Sequence, residues 1–173
     1  MDVLEAIFTR RSIRRFENRP VPQETIEQLL KAAMYAPSAR NAQSWHFVVI
    51  TERQLLDAVP EFHPYAAMIR QAPLAILVCG DEQLEPRTAY WVENCSAATQ
   101  NILLAAHGMG LGAVWLGIYP NPDRVEGMRR LIGGMPSHVI PMALVVIGYP
   151  AERPSQPERY KPDRVHYNCW RAE

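Results

Sequence analysis

The longest helical pattern in the chain, residues 87–108, is apolar on most of its circumference. Only a narrow stripe through Glu93, Gln100 and His107 is polar. The apolar positions of this pattern are Trp91, Val92, Cys95, Ala98, Ile102, Leu103, Ala105 and Ala106. A helix with so little polar surface is stable only when it is buried on nearly all sides. The pattern therefore predicts either a central helix or a helix between two subunits, and the sequence leaves both open.

Short apolar runs predict four β-strands, which cover residues 45–51, 74–80, 112–118 and 139–148. Further helices are predicted after Asp2, whose side chain can cap the first turn together with Glu5, and between Pro22 and Pro37. Two shorter helical patterns cover residues 53–59 and 123–131. Helices that precede and separate a few strands indicate an α+β fold with one sheet packed by helices. With neither a repeat nor a linker-like segment, we expect residues 1–173 to form a single domain.

Composition and charge exclude several classes of function. The chain has 18 basic and 18 acidic residues, so its net charge of zero gives no indication of a nucleic-acid or membrane-surface partner. Cys79, Cys95 and Cys169 form no Cys-x-x-Cys pair, and the five histidines lack the spacing of metal ligands. We therefore expect no metal site. No signal-peptide pattern or apolar run of about 18 residues occurs, so we expect a cytoplasmic protein.

A basic segment follows the first predicted helix. Residues 10–16 read RRSIRRF and include Arg10, Arg11, Ser12 and Arg14. Guanidinium groups offer donors that match phosphate oxygens, and a serine hydroxyl adds a neutral donor. A solvated basic turn after a helix would have the same composition. The residues alone leave phosphate binding and simple exposure open.

Two further segments could bind a ligand. Residues 37–43 form a loop in which Asn41 and Gln43 each present a donor and an acceptor, although a polar turn would explain them equally. Residues 110–117 form a glycine-rich apolar strand that a flat ring could lie against, or that could simply belong to the core. The glycines precede a strand, whereas a Rossmann fingerprint places them between a strand and a helix. This order argues against a Rossmann dinucleotide-binding turn.

The last segment, from Tyr149 onwards, is rich in proline and should be extended. It contains the cations Arg153, Arg159, Lys161 and Arg164, and it ends near Trp170. A solvated tail would have this composition. The large apolar surface of Trp170 favours an arm that docks on protein.

Taken together and in this order, the basic segment, the carboxamide loop and the glycine-rich strand closely resemble the nitroreductase family of FMN-dependent oxidoreductases. The resemblance extends from the first helix to the region of Trp170. It implies a mainly antiparallel central sheet packed by helices. It also implies an intertwined homodimer with two flavins at the interface, in which residues 149–173 form an extended C-terminal arm.

The resemblance assigns roles to the basic segment and the tail. Arg10 and Ser12 would hold the FMN phosphate, Arg11 would contact the ribityl chain, and Arg14 would lie near flavin N1 and O2. A cation at that place stabilises the negative charge of reduced flavin. Arg159 is the best match for a tail cation that returns to the phosphate, and Lys161 is a second candidate.

The resemblance also assigns the ring contacts. In the family the carboxamide loop reaches the flavin of the partner subunit, and its candidate residues here are Pro37, Ser38, Ala39, Asn41 and Gln43. The family usually has proline between the glutamine and the tryptophan, where this chain has Ser44. Behind the isoalloxazine ring the resemblance places Trp115, Leu116, Gly117 and Ile118. A backbone N–H near Gly117 would then meet flavin N5.

The implied activity is ping-pong transfer of hydride from NADH or NADPH, through flavin N5, to an electron-poor acceptor such as a nitroaromatic or a quinone. No side chain is expected to act as nucleophile or general base, because the cofactor carries the electrons. Alternatives within the fold are a flavin destructase, a reductive dehalogenase or a flavin-binding module without turnover. A basic interaction domain without cofactor would leave the three co-occurring segments unexplained.

Overall fold

The computed structural model describes residues 1–86 and 90–170. Within these ranges the helices are α1 (Val3–Thr9), α2 (Gln23–Met34), α3 (Arg53–Ala58), α4 (Trp91–Gly108) and α5 (Pro122–Ile132). The strands are β1 (Trp45–Ile50), β2 (Leu74–Asp81), β3 (Gly112–Gly117) and β4 (Val139–Gly148). Each lies where the apolar pattern predicts it, with ends that agree within a few residues. The predicted start of the long helix, residues 87–89, and the last residues of the predicted arm, 171–173, lie outside the described residues.

In the described ranges the four strands form one sheet in the order β1-β2-β4-β3, and every neighbouring pair is antiparallel. The predicted α+β class and mainly antiparallel sheet are confirmed. A register shift between Val78 and Cys79 lies opposite Pro141, which has no N–H to donate to the ladder. β3 is left at one edge of the sheet.

Two apolar layers cover the sheet, because successive side chains of a strand point to opposite faces. On one face, Ile76 and Val78 pack in a cluster with α2 and α4. On the other face, Leu77 and Cys79 pack in a cluster with α3 and α5. β2 is buried on both faces along its whole length, which explains why its sequence is an unbroken apolar run. Cys79 is only 1% exposed.

Helix α4 lies at the centre of the fold. It packs against α2 and against all four strands. Of the predicted polar stripe, Glu93 and Gln100 are exposed and His107 is half-buried. The helix is therefore central, which is one of the two arrangements that the sequence left open, and its stripe forms a narrow surface of the chain.

The two ends of the chain meet beside β3. Ser12 forms a parallel bridge with Ala113, and the N–H of Ile13 donates to the Ala113 carbonyl at 3.1 Å. Phe16 and Pro150 form an antiparallel bridge, so the start of the tail is paired with the basic segment. After this bridge the tail is extended and exposed, apart from a short helical turn at Pro162–Arg164.

Several apolar side chains of the ends remain uncovered within one chain. The N–H of Glu5 donates to the Asp2 carboxylate at 2.8 Å, which confirms the predicted cap of α1. All seven residues of α1 are nevertheless at least partly exposed, including Phe8 at 61%. In the tail, Trp170 is 83% exposed. Among the described residues, no helix has both the length and the apolar character needed to cross a bilayer.

Candidate functional site

The free edge of β3 organises the site. In an antiparallel strand the N–H and C=O of one residue point to the same side, and the side alternates along the strand. The Ala113 carbonyl faces Ile13, and the N–H of Ile118 faces β4, where it donates to the Met142 carbonyl at 3.1 Å. By this alternation Trp115 and Gly117 direct their backbone groups to the free edge. The basic segment runs along the same edge, because Ser12 is bridged to Ala113.

A cavity of about 770 Å³ gathers three of the candidate cations, Arg10, Arg11 and Arg159. Its apolar wall comes from α1, through Ile7 and Phe8. Partial burial, and then the charges of Arg159 and Arg11, lower the pKa of Arg10. An anion in this cavity would relieve that repulsion. The structure therefore brings together the tail cation and the start of the basic segment, which are separated by about 150 positions in the sequence.

The remaining residues of the basic segment have different surroundings. The Arg11 guanidinium donates to the carbonyls of Phe8 (2.8 Å), Arg10 (2.6 Å) and Ser155 (3.2 Å), so it joins the tail to the end of α1. Arg14 is exposed, and its backbone N–H donates to the Glu152 carboxylate.

The carboxamide loop is held in a defined shape by α4. The buried Asn94 side chain accepts from the N–H of Ala39 at 2.9 Å and donates to the Ser44 hydroxyl at 2.9 Å. The Gln43 amide side chain donates to Asn41 Oδ1 at 3.1 Å. Both residues have positive φ, 55° for Asn41 and 47° for Gln43, in the left-handed region that asparagine tolerates better than glutamine.

This loop borders its own cavity, of about 420 Å³, which is separate from the cationic one. Pro37, Ser38 and Ala39 line it on one side, and Glu93 and Ala97 of α4 line it on the other. Gln100 of the same helix lines the cationic cavity. The two candidate sites thus lie at different points along one exposed stripe of α4, with Glu93 and Gln100 about 10 Å apart along the helix axis.

Gly117 combines an open face with a fixed carbonyl. A Cβ added at Gly117 would have no described atom within 4 Å beyond its chain neighbours, so there is space for a flat group. The Gly117 carbonyl accepts from His63 Nε2 at 3.1 Å and from Arg124 Nη1 at 2.9 Å. Nearby on β3, Trp115 is 36% exposed and Leu116 is buried.

Sequence reasoning missed three of the residues that shape this region: His63, Arg124 and Asn94. His63 and Asn94 act on residues at least 50 positions away, and Arg124 acts on a residue seven positions before it. None of the three belongs to a recognisable motif. Burial, followed by the charge of Arg124, lowers the pKa of His63, whereas its bond to Gly117 opposes that shift. In the described part of the chain, no group of three or more His, Cys, Asp or Glu side chains could hold a metal ion.

The arrangement offers a cationic cavity for an anionic group and, further along β3, an open face for a flat ring. The cations of the first cavity suit a phosphate, and the open face of Gly117 suits a ring with an acceptor atom at its edge. The donor set therefore fits a phosphorylated, planar cofactor.

Comparisons with known proteins give relatives over nearly the whole chain. A model of the Nitroreductase family matches residues 7–67 and 61–149. A protein of Methanothermobacter thermautotrophicus, provisionally named as an NADH dehydrogenase/NAD(P)H nitroreductase, is 55% identical over 170 residues, which are 98% of this chain and 88% of that protein. A crystal structure from Parabacteroides distasonis with the same provisional name has a TM-score of 0.92 at 41% identity, covering 96% of this chain and 98% of that chain.

A further solved structure contains a cofactor. It is a provisionally named nitroreductase from Desulfovibrio desulfuricans in complex with FMN, with a TM-score of 0.85 at 31% identity. The alignment covers 98% of each chain.

Proposed function

The chain belongs to the nitroreductase family, and on this premise we propose that it binds FMN and transfers hydride from NADH or NADPH to electron-poor acceptors such as nitroaromatics or quinones. The observation that carries the proposal is the convergence of Arg10, Arg11 and Arg159 in one cavity, beside a strand edge that leaves an open face at Gly117. FMN, when bound, supplies the two-electron carrier. The protein's own residues then have to bind it, orient it and exclude water.

The cationic cavity is the proposed phosphate site. Arg10 and Arg159, which both line this cavity, would neutralise a phosphate dianion, and Ser12 would add a hydroxyl donor at the adjoining edge of β3. Arg11 is proposed to contact the ribityl chain, and its guanidinium also donates a hydrogen bond to the Ser155 carbonyl of the tail. An intact tail is therefore part of the binding site.

The edge of β3 is the proposed ring site. The open face of Gly117, with Trp115 and Leu116 before it, would lie behind the isoalloxazine ring, and the Gly117 N–H would meet N5. Arg14, which is exposed next to this edge, would lie near N1 and O2. A cation there favours the charge of the reduced ring. Nicotinamide and acceptor would use the remaining ring face in turn, which gives a ping-pong reaction.

A homodimer would complete the site. The carboxamide loop and the cationic cavity lie at different points along the exposed stripe of α4. A two-fold axis across that stripe would bring Asn41 and Gln43 of one chain to the ring bound by the other. The exposed apolar face of α1 and the exposed Trp170 need cover of the kind that a partner arm would provide.

Titration of the FMN-free protein with FMN and with riboflavin, which lacks the phosphate, tests the proposal. We expect FMN to bind at least tenfold more tightly than riboflavin, and Arg159→Gln to remove most of that preference. Arg164→Gln is the matched control, since Arg164 is a tail arginine in the short turn at Pro162–Arg164 and lies outside the cavity lining. Equal affinity of the wild type for the two flavins would contradict the phosphate assignment. So would an equal loss of the preference for FMN in the two variants.

A further inference from the structure

The Gly117 carbonyl accepts two hydrogen bonds from outside the sheet. His63 Nε2 lies 3.1 Å from this oxygen, and Arg124 Nη1 lies 2.9 Å from it. The two donors come from different segments, since His63 follows a short helical turn after α3 and Arg124 lies in the first turn of α5. Two donors on one carbonyl use both of its lone pairs.

Both donors are themselves fixed. His63 is 2% exposed, and its Nδ1 accepts from the N–H of Tyr65 at 3.3 Å. Because Nδ1 accepts, the ring hydrogen is on Nε2, and the neutral imidazole donates to Gly117. The Arg124 guanidinium lies 5.6 Å from the centre of the Tyr65 ring, and its backbone N–H donates to the Asn121 cap at 3.1 Å.

The peptide that follows Gly117 is therefore held at both ends. Its carbonyl is held by His63 and Arg124, and its N–H, which belongs to Ile118, donates to Met142 at 3.1 Å. The N–H of Gly117 itself belongs to the preceding peptide and faces the free edge of the strand. Glycine would otherwise let this segment rotate with little steric resistance.

We infer that His63 and Arg124 are positioning residues for the flavin: they hold the Gly117 carbonyl so that the N–H of Gly117 is the backbone group offered to N5. This inference rests on the proposed function. Oxidised N5 is an acceptor and matches an N–H, whereas reduced N5 carries a hydrogen and would match a carbonyl. A fixed carbonyl therefore keeps the site complementary to oxidised flavin and makes bound FMN easier to reoxidise.

The test measures the relative affinity of the protein for reduced and oxidised FMN, obtained from the midpoint potential of the bound cofactor. In His63→Phe the ring remains but the donor is lost, so the carbonyl is partly released. We expect binding of reduced FMN to improve over oxidised FMN by three- to tenfold, which corresponds to a rise of about 15–30 mV for a two-electron couple. His63→Gln keeps an N–H donor, and we expect its potential to stay near that of the wild type.

Arg53→Gln is the matched control. Arg53 donates to the carbonyls of Ala72 at 3.0 Å and Ile69 at 2.9 Å, just before β2 and at the opposite end of the sheet from Gly117. The Arg53→Gln variant loses hydrogen bonds to backbone carbonyls, as His63→Phe does, without altering the edge of β3 at which the flavin is proposed to bind. Thermal unfolding of each variant shows whether it is folded.

The outcomes separate the inference from the proposed function. A raised potential in His63→Phe, with little change in His63→Gln and Arg53→Gln, supports the positioning role. An unchanged potential in a folded, FMN-binding His63→Phe, or an equal rise in Arg53→Gln, overturns it while leaving FMN binding intact. If His63→Phe does not fold, the midpoint potentials of His63→Gln and Arg124→Lys are compared instead. Arg124→Lys keeps the positive charge but changes the geometry of the hydrogen bond to the Gly117 carbonyl. Wild-type protein that binds no FMN overturns both.

Discussion

Replacing Gly117 with valine should weaken flavin binding and leave the fold intact. A Cβ at this position has no described atom within 4 Å beyond its chain neighbours, so the side chain enters open space. The position has no positive φ to resist substitution, and valine suits a strand. We therefore expect the stability of the FMN-free protein to change by no more than about 0.5 kcal/mol.

The effect on binding follows from the same space. A ring in contact with Gly117 lies about 3.5–4.0 Å from its backbone atoms, and the valine methyl groups would occupy that layer. Forcing extra carbon atoms into a packed contact costs about 1–3 kcal/mol. That cost corresponds to a five- to 150-fold increase in the dissociation constant for FMN.

Gly148→Ala is the control, for which we expect a loss of stability and not a loss of flavin binding. Its Cβ would lie 2.8 Å from Pro73 Cδ and 3.0 Å from Phe16 Cδ1, at the far end of the sheet from Gly117. The overlap should cost about 1–3 kcal/mol of stability and lower Tm by about 2–12 °C. FMN titration by fluorescence quenching and thermal unfolding of the FMN-free proteins measure both quantities. Wild-type affinity in Gly117→Val, or a Tm loss as large as in Gly148→Ala, would refute the ring assignment.

Other substitutions test the rest of the site. Arg10→Ala should weaken FMN binding by about 1.5–3 kcal/mol, the scale of a charge-assisted hydrogen bond, and unaltered affinity in a titration would remove Arg10 from the phosphate site. Asn94→Ala leaves the N–H of Ala39 and the hydroxyl of Ser44 without their partner. The free energy of unfolding measured in urea should therefore fall by about 1–3 kcal/mol. An unchanged unfolding midpoint would contradict this role of Asn94. Because the pKa of folded His63 is lowered from 6.5, the unfolded chain binds the proton more readily, and stability should fall as pH drops below about 6.5. His63→Gln should reduce this loss of stability between pH 7.5 and 5.5. A loss identical to that of the wild type would contradict the assignment of the pH dependence to His63.

Local patterns account for most of the secondary structure. The unbroken apolar runs predicted β2 and β4 because both strands are buried on both faces. The apolar circumference of α4 predicted a helix that is buried on nearly all sides, because only a narrow polar stripe was available for solvent. Helix α1 is different: Asp2 and Glu5 predicted where it begins, but they contain no information about what covers its exposed apolar side chains.

The site was only partly accessible from the sequence. Arg10 and Arg159 could be chosen from charge and family resemblance, and the structure places both in one cavity. The contact between His63 and Gly117 joins residues 54 positions apart and depends on how α5 and the turn after α3 pack beside β3. Contacts of this kind follow from topology, and a single sequence without a local motif does not specify them.

The central claim is tested most directly by an anaerobic absorption spectrum of the freshly purified protein after FMN is restored, followed by addition of NADH and then NADPH. We expect bound flavin bands that bleach with at least one nicotinamide and return when a quinone or nitroaromatic is added. Bound flavin that neither donor reduces would contradict the reductase proposal and favour a specialised enzyme or a binding module. Protein that retains no flavin would contradict the proposed cofactor site itself.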